Sequence, residues 1–238
     1  MNDEHLIRTE FLLGKEKIKK IQHSHVAVFG VGGVGGYVVE ALARSGVGAI
    51  DLIDHDKFVE SNLNRQILAT ADTIGRLKVE VAKERIFSIN PDCKVYTHAC
   101  FYLPSEREKF DFTQYDYIID AVDTVTAKLD LIEEAQRCNV PIICAMGCGN
   151  RIDPSKVVAA DIYQTTGDPL ARIMRYELRK RGIKKLKVVY STEPPMLPIY
   201  PKGYENNSNK PTPGSTAFVP GAAGLLLASQ VIQDLLKD

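Results

Sequence analysis

The sequence contains no tryptophan and only five cysteines, none of them in a CxxC pair. Cys93, Cys100, Cys138, Cys144 and Cys148 are odd in number and irregularly spaced. That excludes a zinc clip and a disulfide framework, and a reduced cytoplasm fits best. No charge is in surplus, since 30 lysines and arginines balance 30 aspartates and glutamates. A general basic coat for nucleic acid is therefore excluded, although a local basic patch is not. The N-terminal MNDEHLIRTE lacks the apolar run of a secretory signal. The most apolar stretch, 217–236, holds Pro220, Gly221, Gln230, Gln233 and Asp234. It reads as a buried helix with a polar face rather than a membrane span. No repeat at solenoid period is present, and His5, His23, His25, His55 and His98 show no metal-ligand spacing.

What is present is ordinary globular composition, 45% hydrophobic and 25% charged, enough for one sizeable core. From Val26 to about Gly149, short apolar runs alternate with amphipathic segments. Strands are predicted at Val26–Gly30, Ala49–Asp54, Lys94–His98, Tyr117–Ala121 and Pro141–Ala145. Helices are predicted at Val34–Ser45, Gly75–Ile89 and Thr126–Cys138. Such alternation specifies a doubly wound, Rossmann-like α/β fold with a mostly parallel sheet. The last third predicts a helix at Pro169–Arg181 and a strand at Leu186–Tyr190. A mobile Pro-, Gly- and Asn-rich loop at 200–214 and the apolar helix follow. The expected organisation is one adenylation-type domain: a helical arm over 1–25, a nucleotide-binding core over 26–150, and an α/β extension over 151–238 capping the nucleotide site.

The run from Gly30 through Gly32, Gly33, Gly35 and Gly36 follows the first strand and opens the first helix. Glycines allow the backbone to turn sharply and approach a phosphate, and the helix N-terminus adds N–H donors. Asp54 ends the second strand about twenty residues later, placed to accept from ribose hydroxyls. This is strong evidence for a nucleotide without saying which. A dinucleotide needs few cations, whereas a triphosphate losing pyrophosphate builds charge that Arg65 and Lys78 are suited to neutralise. Asp56 and Asn62 stand in the same stretch. Asp123, at the end of the fourth strand, is placed to hold Mg²⁺. Together these features favour ATP with magnesium over NAD.

GVGGVGG, LIDHDKFVESNLNRQ, GRLK and DAVD resemble the adenylation domain of the ubiquitin-activating-enzyme superfamily, over about residues 8–150. The resemblance implies that Asp54 binds ribose and that Asn62, Arg65 and Lys78 serve the phosphates. It makes Asp123 the magnesium-linked acid, and has Arg8 reach the ATP of a neighbouring subunit in a homodimer. RTEFLLGKEKI, NRIDPSKV, DPLARIMRYELRKRGI, VVYSTEPP and GSTAFVPGAAGLLLASQVI resemble a narrower family, the tRNA threonylcarbamoyladenosine dehydratases. That family closes a ring, with ATP, on a threonylcarbamoyl group beside the tRNA anticodon. A tRNA carrying threonylcarbamoyladenosine is thus the implied partner, and a sulfurtransferase or desulfurase partner is left open.

The densest basic run includes Arg172, Arg175 and Arg179 at helical spacings of three and four, suited to phosphate contacts. Cys148 is read as a small packing residue, and no cysteine follows it. Besides a bare binding module, against which the intact Arg65, Lys78 and Asp123 set counts, two rivals stand beside this reading. One is adenylation of the C-terminal glycine of a ubiquitin-like sulfur-carrier protein, for which the CxxC pairs are missing. The other is an NAD-dependent oxidoreductase, for which nothing past residue 150 supplies a hydride-transfer site.

Overall fold

The computed structural model describes residues 3–204 and 212–237. Its sheet is built from β1 (His25–Phe29), β2 (Ala49–Ile53), β3 (Lys94–His98), β4 (Tyr117–Asp120), β5 (Ile142–Ala145), β6 (Val157–Asp161) and β7 (Lys187–Ser191). The spatial order is β3-β2-β1-β4-β5-β7-β6. Every pairing is parallel except β6 with β7, which is antiparallel. The order reverses between β1 and β4, which opens a crevice at the carboxyl ends of those two strands.

The helices are α1 (Ile7–Leu13), α2 (Lys15–Gln22), α3 (Gly35–Arg44), α4 (Lys78–Ile89), α5 (Val125–Arg137), α6 (Pro169–Lys180) and α7 (Phe218–Leu235). Strand alternation divides the core between two faces. Val26, Val28, Ile50, Leu52 and Ile119 pack against α3, α4 and α7. Ala27, Phe29, Ile53 and Ile118 face the other way, toward α5 and an aromatic layer. That layer is Tyr102, Phe110, Phe112 and Tyr115, carried by the β3–β4 connection, which has no α-helix to cover the sheet. Phe29 sits at its centre, edge-on to Tyr102 and stacked parallel to Phe112.

The predicted elements are present, with ends shifted by one residue in most cases and by three at the start of α4. Unforeseen was β6, a half-buried edge strand. With β7 it makes the last third a continuation of the sheet as well as a cap on the cleft. Residues 205–211 of the predicted 200–214 loop lie outside the described residues. The flanking stretch carries neither helix nor strand. Helix α7 has the length and apolar composition to cross a membrane, but it buries Val219, Ala223, Leu227 and Val231 in the core. A Cβ on Gly224 would lie 2.4 Å from the carbonyl oxygen of Val34, so the glycine lets α7 sit directly on α3.

Asp51 is buried on the aromatic face. It accepts hydrogen bonds from His25 Nε2 at 2.7 Å, His98 Nε2 at 2.9 Å and the Tyr115 hydroxyl at 2.9 Å. Burial pushes its carboxyl up, but these donors outweigh burial and hold it down to about 2, from an ordinary 3.8. A carboxylate depressed by folding stabilises above its unfolded value, and that contribution is lost as pH falls through the folded one. Asp51→Asn is therefore expected to flatten the acid limb of stability between about pH 4 and pH 2 by about 2 kcal/mol. Urea unfolding as a function of pH checks this. An unchanged acid limb would show that Asp51 does not carry it.

Candidate active site

The crevice between β1 and β4 opens into a cleft of about 520 Å³, within the range of small-molecule sites. Gly30, Gly32, Gly33, Asp54, Asp56, Asn62, Arg65, Lys78 and Asp123 all line it. Gly35 does not, and its role is packing: a Cβ there would lie 1.8 Å from the Gly30 carbonyl oxygen. Arg8 lies exposed on α1 and does not line this chain's cleft.

Helix α3 begins at the cleft with no side chain capping its N-terminus, so its positive dipole end faces the cavity, although the Gly36 and Tyr37 N–H groups are spent on the carbonyls of Gly32 and Val34. Asp54 braces the turn before it. One carboxylate oxygen accepts from the Val31 N–H at 2.7 Å, the other from the Asp56 N–H at 2.8 Å. Lys78 opens α4 with its side chain 6% exposed and its Nζ 2.7 Å from Asp56 Oδ2. Arg65 donates to the Ser61 carbonyl and to Asn64 Oδ1, and no carboxylate pairs with it among the described residues. One cation is thus held in reserve by an aspartate and the other is unneutralised. Asn62 is buried and accepts from the Val59 N–H through Oδ1.

Asp123 is exposed and, among the described residues, accepts only from the Thr124 hydroxyl, at 3.3 Å. Asp54, His55 and Asp56 also bring potential ligand atoms within 4.8 Å of one another. Asp56 already carries Lys78, however, so Asp123 is the better oxygen donor for a divalent cation.

Two buried ion pairs stabilise the loops at this edge, and neither was foreseen. Lys128 Nζ lies 2.9 Å from Asp120 Oδ2 and 2.7 Å from the Ala145 carbonyl, with both side chains fully buried. This ties the ends of β4 and β5 to α5 just before Asp123. Arg151 is also buried. It donates to the carbonyls of Gly147 and Glu193 and to Asp168 Oδ2 at 2.9 Å. Asp168 caps α6 through its other oxygen, on the Ala171 N–H. Nothing in the spacing of Lys128, Arg151 or Asp168 sets them apart from surface charges.

The thiols of the region are not poised for attack. Burial pushes Cys148 up to about 11 and Cys144 well above the ordinary thiol range.

On α6, Arg172 and Arg179 are exposed, whereas Arg175 is half-buried. Arg175 donates to the hydroxyl of Thr165 and, at 2.9 Å, to its carbonyl. Arg179 lies over the Tyr163 ring, 5.2 Å from its centre.

A family model for the ThiF family matches residues 4–238. The chain belongs to the ThiF family. It is 43% identical to the tRNA threonylcarbamoyladenosine dehydratase of Bacillus subtilis (strain 168), over 97% of this chain and 94% of the other. The E. coli tRNA N6-threonylcarbamoyladenosine dehydratase in complex with ATP superposes with a TM-score of 0.88 at 34% identity, covering 98% of this chain and 94% of that one. A structure of the same E. coli enzyme with AMP matches equally well. The ThiF fold is thus shared along nearly the whole chain, last third included.

Lys128→Met leaves the buried Asp120 without its partner and is expected to cost about 3–5 kcal/mol. Adding Asp120→Asn should recover part of that loss. Equilibrium urea unfolding of both variants checks it, and a single variant as stable as wild type would refute the structural role.

Proposed function

We propose that the chain catalyses ATP-dependent ring closure of N6-threonylcarbamoyladenosine next to the tRNA anticodon, through a carboxyl-adenylate. The observation that carries the reading is the glycine-lined cleft with Arg65 and Lys78 on its wall and no low-pKa thiol beside it. Such a site activates a carboxylate and leaves the next step to the substrate.

In this reading Asp54 binds the ribose, and the backbone around Gly30, Gly32 and Gly33 receives the phosphates. Lys78 exchanges Asp56 for phosphate oxygens, while Arg65 and Asn62 serve the same chain. A carboxylate oxygen of the modified base attacks the α-phosphorus, and pyrophosphate leaves with the electron pair of the broken P–O bond. A nucleophile in the same side chain then attacks the acyl carbon, and AMP leaves carrying that carboxylate oxygen. The base is lighter by one water, and no enzyme thiol takes part. The second step gains from proximity, worth about 7–11 kcal/mol in well-oriented cases. Mg²⁺, which the cleft fits best at Asp123, would screen the charge that develops on the phosphates. Arg8 completes the site of a neighbouring copy. Phe11 and Leu12 on the same helix are 80% and 83% exposed and suit burial in such a dimer.

Purified protein with ATP and tRNA bearing threonylcarbamoyladenosine should yield AMP, pyrophosphate and the dehydrated nucleoside by mass spectrometry. Lys78→Ala and Arg65→Ala should each lose about 2–4 kcal/mol of transition-state stabilisation. Cys148→Ala should keep most activity. Equal AMP formation with unmodified tRNA would discard this substrate. An inactive but folded Cys148→Ala would instead favour thiol chemistry on a carrier protein.

The substrate's phosphate backbone needs a basic surface, and α6, capped by Asp168, supplies one. At 1.5 Å per residue, Arg179 stands roughly 10 Å further along the helix than Arg172. Arg172→Ala and Arg179→Ala should each weaken tRNA binding and reduce its salt slope by about 0.7–0.9 per lost contact. Arg175→Ala should act less on the slope, since its guanidinium is engaged by Thr165. Filter binding at several salt concentrations tests this. Unchanged slopes for Arg172 and Arg179 would remove α6 from the docking surface.

A further inference from the structure

Segment 194–204 (PPMLPIYPKGY) carries neither helix nor strand and is exposed along most of its length. Pro194, Pro195, Pro198 and Pro201 fix φ at four of its positions, so it has less freedom to lose when something docks on it. Its course is set by Asn150, which takes a left-handed φ of 60°. The Asn150 carbonyl accepts from the Met196 N–H at 2.7 Å. Its own N–H donates to the Gly214 carbonyl, and its Oδ1 accepts from the Gly214 N–H, each at 2.7 Å. Gly149 before it and Thr212, Pro213 and Ser215 around Gly214 line the cleft. The segment therefore leaves from the rim of the reaction site.

Two aromatic rings stand on it. Tyr200 and Tyr204 are stacked, with ring centres 5.3 Å apart and planes at 10°. Tyr200 donates its hydroxyl to the carbonyl of Thr212, at 2.8 Å, so this ring is tied directly to a cleft residue. Tyr204 closes a turn through its N–H on the Pro201 carbonyl, with Gly203 at φ +81° where the turn needs a left-handed residue. The rings are nevertheless 41% and 46% exposed. Lys202, in the turn between them, is exposed and is the one charged residue of the segment. Fixed, exposed aromatic rings beside a cation are the elements that hold unpaired nucleobases.

We infer that Tyr200 and Tyr204 form a stacking platform for a base of the tRNA anticodon loop that flanks the modified adenosine. This rests on the reading that such a tRNA is the substrate. To bring its carboxylate to the α-phosphorus, the modified adenosine has to leave the stack of the loop. A base beside it then loses a stacking neighbour, and a tyrosine ring at the rim replaces it. Lys202 faces the phosphate between the two nucleotides. The cation and the place at the cleft rim favour RNA over a protein partner. The α6 arginines hold backbone charge, whereas the ring pair holds a base, and the two contributions differ in their response to salt.

The test is filter binding of tRNA bearing threonylcarbamoyladenosine at several salt concentrations. The variants are Tyr204→Phe, Tyr204→Leu and the double variant Tyr200→Leu with Tyr204→Leu. Phenylalanine keeps the flat ring and should bind as wild type does. Leucine keeps apolar bulk without a π-face and should weaken binding about 10-fold, the double variant more. The salt slope should stay at its wild-type value, because no phosphate contact is lost. ATP affinity measured by calorimetry without tRNA should be unchanged. A 2-aminopurine placed beside the modified adenosine should be quenched on wild type and stay bright on the double variant. Equal weakening by Tyr204→Phe and Tyr204→Leu overturns the platform, as does wild-type affinity in the double variant. A double variant that binds RNA normally but sediments as a smaller species would give this surface to a second copy instead. If the double variant does not fold, Tyr204→Leu against Tyr204→Phe decides. Wild type that fails to close the ring while the tyrosines still control RNA binding would bring down only the proposed reaction.

Discussion

The cleft depends on one contact in which no side chain fits. Gly35 is so close to the Gly30 carbonyl that its absent Cβ would overlap the oxygen. Gly30, at φ +90°, would place a Cβ 2.7 Å from the carbonyl oxygen of Ala121. The end of β1, the first turn of α3 and the end of β4 therefore meet backbone to backbone. This is what aims an uncapped helix N-terminus into the space between the two strands. It also sets Asp54 within reach of the Val31 N–H, so the acidic end of β2 braces the turn.

The buried ion pairs extend that rigidity outward. Taking charges out of water is expensive, and a buried pair is poor evidence for net stability. Its geometry is nevertheless demanding. Lys128 satisfies a carboxylate on β4 and a carbonyl on β5 at once, and Arg151 reaches three separate segments. The loops that end at Asp123 and at Cys148–Gly149 are thereby fixed relative to the glycine turn. Asp168 carries the same order into α6, so the basic helix and the reaction cleft share a rigid joint.

Glycine spacing, strand-end acids and short apolar runs are local signals; they placed the core strands, and nine of the residues they single out line one cleft. What they miss depends on partners distant in sequence. Strand β6 is half-buried at an edge, and its apolar run Val157–Ala160 is short, half alanine and closed by Asp161, so it carries little strand signal. The aromatic layer from Tyr102 to Tyr115 scatters its members between polar residues, and only the sheet beneath gives them a common face. Arg172, Arg175 and Arg179 share a helical face as their spacing requires. The sequence cannot show that Thr165 and Tyr163 hold the latter two.

Charge in the cleft is arranged unevenly, and that bears on the proposed chemistry. Lys78 is neutralised by Asp56, so the free protein does not bury a naked ammonium, while Arg65 at the wall has no carboxylate partner among the described residues. An incoming triphosphate meets one ready cation and competes for the second, so binding strengthens with phosphate charge. Cys148 lines the same cleft with its thiol raised by burial, where a thiolate would be costly. In the proposed reaction the acyl group therefore meets no competing enzyme nucleophile before the substrate's own side chain reaches it.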